Sequence, residues 1–470
     1  MDGIVLVGLN RNTVYTPLAL LYCRACLTED KKLSSRVRVD IREYELEDSE
    51  EYILWDLAKF APGIVGFSCY LWNIKKVLKL SRMLRKAMPG IKIVLGGPEV
   101  SPLAKGILKD NPCVDLVVRG EGEFAFTDIA RAYLTGKGLS GVKGITFRKG
   151  KKVFENPGHP FIADLDSIPS AYLNSGYELA NREVCLETQR GCVFGCWFCY
   201  YNKGCANWRV FSLKRVKKEL LFLLSQDQAE IYLMDPVFNI DIKRAKEICR
   251  FIIEHNKKRI PFHTEIQAEL VDAELAALLK KACVRYIEVG LQSDDDKVLK
   301  NVRRAFNREK FIKGFSLLKS NGLVVELQLI LGLPGDCLET FFRSLKFALE
   351  LDPPVLSVFK LQVLPGTMIR ERARSLGIEY EAEPPYEFIQ SRTMPFKDSI
   401  LAQKAVNSVS LFRRNKAALR LCKQKGIDMV QLIRLWLDHT RSDDHLLNNE
   451  DNNALSKEAA AFLQTCRRCM

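Results

Sequence analysis

The chain has 470 residues, 47% of them hydrophobic, and Lys plus Arg exceed Asp plus Glu by 71 to 57, a net charge of +14. That length predicts about three domains, each with enough apolar content for a core of its own, and excludes a disordered chain. No apolar run approaches the ~18 residues of a membrane span, and the opening Met-Asp-Gly-Ile-Val-Leu-Val-Gly enters a strand rather than a secretory leader, so a cytoplasmic protein with no membrane partner is expected. Fifteen cysteines scattered along so long a chain fit a reducing compartment. The positive charges are spread over helices such as 214–218 and 300–304. With no arginine tract or aromatic-studded module among them, a nucleic-acid partner is disfavoured.

The first 150 residues read as α/β. Apolar runs at 2–10, 37–44, 64–68, 91–95 and 114–118 alternate with amphipathic segments at 18–27, 74–87 and 104–109. That alternation predicts βαβ units and a parallel, Rossmann-like sheet, whose ligands sit beyond the carboxyl ends of the strands. Those ends are marked by Asn10, by Ser68, Tyr70 and Trp72, by Gly96, Gly97, Pro98 and Glu99, and by Gly120 and Glu121. Paired glycines let a backbone approach a flat ligand, and Ser68 offers a small polar contact. The GxGxxG of a nicotinamide fold is absent after the first strand.

Residues 151–180 read as a linker, with a turn-rich connector, Phe154-Glu-Asn-Pro-Gly-His-Pro160, following Gly150. From 181 to 385, strands and helices alternate through six βα repeats, which predicts a partial barrel with its chemistry at the strand C-termini. The first of those ends carries Cys192, Cys196 and Cys199 in a CxxxCxxC run. Thiolates are soft ligands that suit iron–sulfur clusters, and three of them leave one iron of a cubane open. A structural zinc would want a fourth ligand, for which Cys185 or Cys205 is available. Trp197 and Phe198 lie between the ligands and would shield the cluster, with Tyr200 and Tyr201 extending the wall. Later strand ends present Asp235, then His263, Glu265 and Gln267, then Gln292 and Ser293, with Arg303 beyond, then Gly332 and Pro334, and finally Gln362.

CxxxCxxC followed by an aromatic resembles the signature of radical S-adenosylmethionine (SAM) enzymes. The Ser-Cys-Tyr, Gly-Gly-Pro-Glu and Arg-Gly-Glu-Gly-Glu turns of the first domain resemble the strand ends of the B12-binding domain that precedes the barrel in the cobalamin-dependent members. Asp-Pro-Val-Phe-Asn239 and Gly-Leu-Gln-Ser293 resemble the same family's second and fourth strand ends. The resemblance spans roughly residues 3–370. It implies a [4Fe-4S] cluster, SAM on the open iron and cobalamin on the first domain. The strand-end residues named above become contacts to those cofactors, with Asp235 near the amino group of SAM and Arg303 near its carboxylate. The Asp-x-His-x-x-Gly of methionine-synthase-type domains is missing and the first histidine is His159, so no protein imidazole is expected beneath the cobalt.

The resemblance further implies methylation of an unactivated carbon of a small molecule or peptide, through a 5'-deoxyadenosyl radical and methylcobalamin. An external one-electron reductant such as flavodoxin or ferredoxin would feed the cluster, and Cys205 or Tyr201 is the candidate proton or hydrogen donor. Two alternatives stay open: rearrangement, ring contraction or oxidative cyclisation without methyl transfer, and tRNA modification. The latter lacks its second cysteine trio and terminal RNA-binding barrel here.

Residues 386–470 read as a small α-helical domain, with helices at 397–422 and 429–437 and a polar stretch at 443–453. Cys466 and Cys469 are expected on an exposed, frayed tail.

Overall fold

The computed structural model describes residues 2–201, 208–440 and 452–469. The chain divides into two compact units, one made of Met1–Val193, Cys205–Glu265 and Ala277–Arg285, the other of Phe194–Gly204, Ile266–Ala276 and Tyr286–Met470.

The first unit opens with β1 (Asp2–Asn10), α1 (Leu18–Glu29), β2 (Val37–Glu45), α2 (Glu50–Lys59), β3 (Ile64–Ser68) and α3 (Ile74–Ala87). It continues with β4 (Lys92–Gly96), α4 (Ala104–Asp110), β5 (Leu116–Val118), α5 (Glu123–Leu134), β6 (Ile145–Lys149) and β7 (Lys152–Glu155). The sheet order is β2-β1-β3-β4-β5-β6-β7, parallel except for the last two strands. Alternation along β1 explains the two cores. Val5, Val7 and Leu9 face a layer built from Ile53 and Leu57 of α2, Val77, Leu80 and Leu84 of α3, and Leu108 of α4. Ile4 and Leu6 face the opposite layer, with Leu20 and Leu27 of α1 and Phe126 and Ile129 of α5. A sheet covered on both faces reads as near-continuous apolar strands, which is why these were visible in the sequence.

Two expectations are corrected here. The connector foreseen after Gly150 begins as β7, whose antiparallel hairpin with β6 extends the sheet by two strands. The segments of α2 and α5 are helical, although neither was assigned; α5 starts inside the Gly-Glu-Gly-Glu run, directly at Glu123.

The same unit holds β8 (Glu183–Leu186), β9 (Gln189–Arg190), β10 (Arg209–Val210), α6 (Leu213–Ser225), β11 (Glu230–Leu233), α7 (Ile242–His255) and β12 (Phe262–Ile266). Strands β8, β11 and β12 pair in parallel. Helix α8 (Ala273–Lys281) and strand β13 (Val284–Gln292) belong partly to each unit.

The second unit continues with α9 (Asp296–Asn301), α10 (Arg308–Ser320), β14 (Val324–Leu331), α11 (Leu338–Glu350), β15 (Val355–Lys360), α12 (Met368–Leu376), β16 (Glu379–Tyr380) and β17 (Phe388–Gln390). Strands β13, β14 and β15 pair in parallel. Six parallel strands, each followed by helix, are the repeats of a partial barrel.

Among the described residues four helices follow: α13 (Phe396–Phe412), α14 (Lys416–Lys425), α15 (Met429–His439) and α16 (Asn452–Cys469). The helix foreseen across 397–422 is interrupted because the Asn415 side chain accepts from the N–H groups of Ala417 and Ala418 and starts a new helix. Cys466 is no frayed residue: it lies in α16 and is 7% exposed. Most of the polar 443–453 stretch, up to residue 451, lies outside the described residues. Among the described residues no helix is long and apolar enough to cross a membrane.

Candidate cofactor sites

In the first domain the strand ends form a built platform rather than loose turns. Asn73, wholly buried, donates to the carbonyls of Leu9 and Ser68 at 3.0 Å each and accepts the Tyr70 N–H at 2.8 Å. One amide therefore ties the ends of β1 and β3 together. The turn it holds stacks the rings of Tyr70 and Trp72 at 4.5 Å and 4°. Burial pushes the Tyr70 phenol up to about 12. Trp72 keeps 47% of its surface exposed, an apolar plane suited to a flat ligand. Next to it, Gly97 has φ +123° and packs against the backbone of Cys69, where a Cβ would lie 2.4 Å from the carbonyl oxygen. Gly96 ends β4, and Glu99, largely buried, donates its N–H to the same Cys69 carbonyl at 3.3 Å. Asn10 ends β1 and gives its carbonyl to Leu46 N–H at 2.8 Å. A row of glycine backbone beside an exposed indole fits a large planar cofactor.

The cysteine loop leaves the barrel through β9 and returns through β10, which pair antiparallel with Arg190 opposite Arg209. Cys192 and Cys196 are buried, 8% and 6% exposed, and Cys199 is half-buried, with its N–H donating to Cys196 C=O at 3.2 Å. Among the described residues no three His, Cys, Asp or Glu side chains gather as a metal-ion group. The donor set of the loop is nonetheless of one kind: three thiols with no carboxylate or imidazole between them, which fits an iron–sulfur cluster and not a hard cation. Trp197 anchors the loop within the second unit. Its N–H donates to Val302 C=O at 3.0 Å and its own C=O accepts from Ile369 N–H at 3.1 Å. The guanidinium groups of Arg372 and Arg303 lie 4.5 and 5.6 Å from the centre of its ring.

Buried charges gather at the neck of this loop. Arg190 donates from Nε to Glu187 at 2.9 Å and pairs through its Nη atoms with Glu121 at 3.3 Å and Glu123 at 2.7 Å. Its guanidinium also lies 5.2 Å from the ring centre of Tyr22. Arg209 reaches both oxygens of Glu121 at 3.0 Å and donates to Ile162 C=O at 2.6 Å. Burial alone would push Glu121 up, but Arg209, the Ile162 N–H and Arg190 hold it below its usual value. Burial dominates at Glu187 and raises it. Glu121, expected among the cobalamin contacts, thus spends its carboxylate on the cysteine loop's two arginines and Ile162 N–H. Gly120 before it has φ +78° and donates its N–H to Ser101 at 3.3 Å.

Asp235, expected near the amino group of SAM, is wholly buried and turned toward the same neck. It accepts from Thr188 N–H at 2.7 Å, Thr188 hydroxyl at 2.5 Å and Gln189 N–H at 3.1 Å. Burial pushes it up to about 7 despite those bonds. Gln189 also donates to Val237 C=O at 2.7 Å, and Arg244 donates to Thr188 C=O at 3.1 Å.

On the barrel strands of the first unit, His263 stacks on Tyr232 at 4.3 Å, and the Tyr232 hydroxyl donates to Glu265 at 2.7 Å. All three are half-buried and share a strand face, while Gln267 is buried. In the second unit, Tyr286 donates to Glu326 at 3.0 Å, Ser357 bonds the same carboxylate, and Gln328 donates to Glu288 at 2.7 Å. Gln292 has φ +69° at a bulge in β13. Ser293 is buried with its hydroxyl 3.2 Å from that of Ser344 on α11. Arg303 lies over Trp197, as above. Gly332 has φ +94° against the Phe388 ring, Pro334 gives its carbonyl to Asn301 at 2.9 Å, and Gln362 bridges to Glu387. Phe198 is half-buried and Tyr201 is 42% exposed, while Cys205 lies outside the described residues.

Sequence reasoning assigned no role to Thr188, Arg190 or Arg209. Arg190 and Arg209 bracketing a cysteine run, with Thr188 just before it, were the available signal.

An N-terminal doubly wound domain whose strand ends form a planar platform, followed in the chain by a partial barrel with a thiol loop after its first strand, has the architecture of an enzyme that holds cofactors in both domains. A B12 binding domain model matches residues 4–130 and a radical SAM superfamily model matches residues 186–348. The chain thus carries a B12 binding domain followed by a radical SAM domain, and the cofactors of these two domains are cobalamin, a [4Fe-4S] cluster and SAM. An uncharacterized methyltransferase of Pyrococcus horikoshii is 26% identical over 77% of this chain and 79% of its own length. The anaerobic magnesium-protoporphyrin IX monomethyl ester cyclase of Rubrivivax gelatinosus is 28% identical over 65% of this chain, and that match spans 57% of the cyclase. The solved structure of OxsB with aqua-cobalamin bound, described as a cobalamin-dependent S-adenosylmethionine radical enzyme, shares the fold with a TM-score of 0.72 at 15% identity, covering 100% of this chain and 80% of that one.

Proposed function

We propose that the protein methylates an unactivated carbon of a small molecule or peptide. The observation that supports this reading is the union of B12 binding and radical SAM domains in a chain that matches an uncharacterized methyltransferase over most of both lengths. Cys192, Cys196 and Cys199 are the cluster ligands in this reading. When bound, the cofactors supply reductive cleavage of SAM and a transferable methyl group.

The chain's own residues bind, orient and exclude water. Asn73 sets the strand-end platform on which Ser68, Tyr70, Trp72, Gly96 and Gly97 receive the corrinoid. Asp235, through Thr188 and Gln189, fixes the strand from which the thiol loop departs. Tyr232 holds the Glu265 carboxylate, so that His263 and Glu265 present a fixed polar edge to SAM or substrate. The cluster needs a one-electron donor of the flavodoxin or ferredoxin kind.

Anaerobic incubation of the reconstituted protein with methyl-labelled SAM, a reductant and candidate substrates tests the proposal. Labelled product with S-adenosylhomocysteine is expected. Formation of 5'-deoxyadenosine with an unlabelled, rearranged product supports the second reading, oxidative cyclisation or rearrangement, which the match to a ring-forming cyclase favours. Cys196→Ala should abolish SAM cleavage and lower bound iron; unchanged cleavage overturns both readings.

A further inference from the structure

The thiol loop is closed at its neck by a carboxylate from a different domain. Its first residue on the way out, Arg190, and its first on the way back, Arg209, are opposite each other in the β9–β10 pair. Glu121 grips both, at 3.3 Å to Arg190 and 3.0 Å to Arg209, from the turn that ends β5, 69 residues before Arg190. Glu123 adds a 2.7 Å pair to Arg190 from the first residue of α5. The side chains of Arg190, Arg209, Glu121 and Glu123 keep only 11%, 13%, 12% and 8% of their surface. One oxygen of Glu123 is buried with no partner among the described residues. Such charges interact strongly and are little screened by salt, so the neck moves with the turn that holds Glu121.

That turn is also a strand end of the B12 binding domain. Ser101, on the segment after the Gly96–Gly97 pair, accepts the Gly120 N–H at 3.3 Å and donates to Val118 C=O at 3.5 Å. The glycine platform of β4 and the clasp of β5 are therefore neighbours joined by one hydroxyl.

We propose that Glu121 is a positioning residue that couples corrinoid binding to retention of the iron–sulfur cluster, by clasping Arg190 and Arg209 at the neck of the cysteine loop. A corrinoid on the platform orders the β4 and β5 turns, and the ordered β5 turn holds the neck closed. Linkage makes the effect reciprocal: a filled cluster loop also tightens corrinoid binding. The inference rests on the reading of Cys192, Cys196 and Cys199 as cluster ligands.

The test follows iron loss to a chelator, by absorbance, from reconstituted protein with and without hydroxocobalamin. In the parent, corrinoid should slow iron loss about fivefold or more, the lower range of allosteric coupling. In Glu121→Gln, which keeps the shape and removes the charge, iron loss should be faster and the corrinoid effect should vanish, while circular dichroism stays that of the parent. The Arg209→Gln variant should reproduce this from the other side. Parent protein that holds cluster and corrinoid but loses iron at one rate regardless of corrinoid overturns the coupling. So does a Glu121→Gln variant with the full parental effect. A parent that assembles no cluster overturns the reading of the cysteines instead.

Discussion

Thr188 closes on Asp235 twice, through its N–H at 2.7 Å and its hydroxyl at 2.5 Å, and so locks the end of β8 to the end of β11. Burial pushes the Asp235 carboxyl up to about 7. The folded protein therefore holds this proton more tightly than the unfolded chain does. The resulting stabilisation is fully present below the ordinary aspartate value and is lost as the pH rises through about 7. One such group changes stability by up to about 1.4 kcal/mol per pH unit inside that window. Asp235→Asn retains an acceptor and cannot titrate. Its unfolding free energy, from urea titrations at pH 5, 6, 7 and 8, should fall less steeply with pH than the parent's. Parallel curves would refute the assignment.

Gly97 faces a harder restriction. With φ +123°, a Cβ would sit 2.4 Å from the Cys69 carbonyl oxygen and 2.9 Å from its nitrogen, both backbone atoms that cannot swing aside. Gly97→Ala should cost roughly 1–3 kcal/mol for the backbone conformation, before the clash is relieved. At Gly96 the nearest atom to an added Cβ is a Val118 side-chain carbon at 3.8 Å, an ordinary contact. Gly96→Ala should thus leave the melting temperature within a degree or two of the parent, while Gly97→Ala lowers it clearly and reduces bound corrinoid. Equal melting temperatures for the two variants would contradict this geometry.

What the sequence disclosed and concealed divides along physical lines. Parallel strands covered on both faces are apolar runs, so β1, β3 and β4 could be placed from Ile4–Leu9, Ile64–Phe67 and Ile93–Leu95 alone. The β6–β7 hairpin was missed because Arg148, Lys149, Lys151 and Lys152 make it look like a surface connector. The cysteine motif declared its own chemistry by spacing. Its neck did not: Arg190 and Arg209 bracket the cysteines in the sequence, but Glu121, which pairs with both, lies 69 residues before Arg190. For the same reason the strand-end positions of Glu121 and Asp235 are legible, while the groups their carboxylates bond, Arg190 and Arg209 for one and Thr188 and Gln189 for the other, come from distant parts of the chain. Burial of Cys466 depends on α16 packing with other helices, which the polar run before it obscures.

Trp197 offers a test of the loop itself. Its backbone is fixed by Val302 and Ile369, so trimming the side chain leaves that anchorage in place. What is lost is the indole beneath Arg372 and Arg303 and the apolar cover next to Cys196. Exposed cation–π contacts contribute about 0.5–1 kcal/mol each. Trp197→Ala should therefore lower stability modestly, and the visible absorbance of its reconstituted cluster should bleach several-fold faster in air, because apolar cover limits solvent and oxygen access. A bleaching rate equal to the parent's would show that the indole gives no shelter.

The loop after β1 is joined to β8 by a buried hydroxyl pair. Thr16 donates its N–H to Glu183 C=O at 3.1 Å and accepts the Cys185 N–H on its hydroxyl at 2.9 Å. The Tyr172 hydroxyl lies 3.3 Å from that of Thr16 and bonds the Cys185 carbonyl. Tyr172 is buried, and burial holds its phenol neutral by raising it well above the ordinary value, so it stays a donor at any working pH. Tyr172→Phe leaves the buried carbonyl of Cys185 without this donor, a loss of about 1–3 kcal/mol. Thr16→Val removes the acceptor for Cys185 N–H at similar cost. Because the two hydroxyls share one network, the double variant should lose less than the sum of the single losses. Denaturant unfolding of the four proteins measures the difference; strict additivity would mean that Thr16 and Tyr172 act independently and do not form one network.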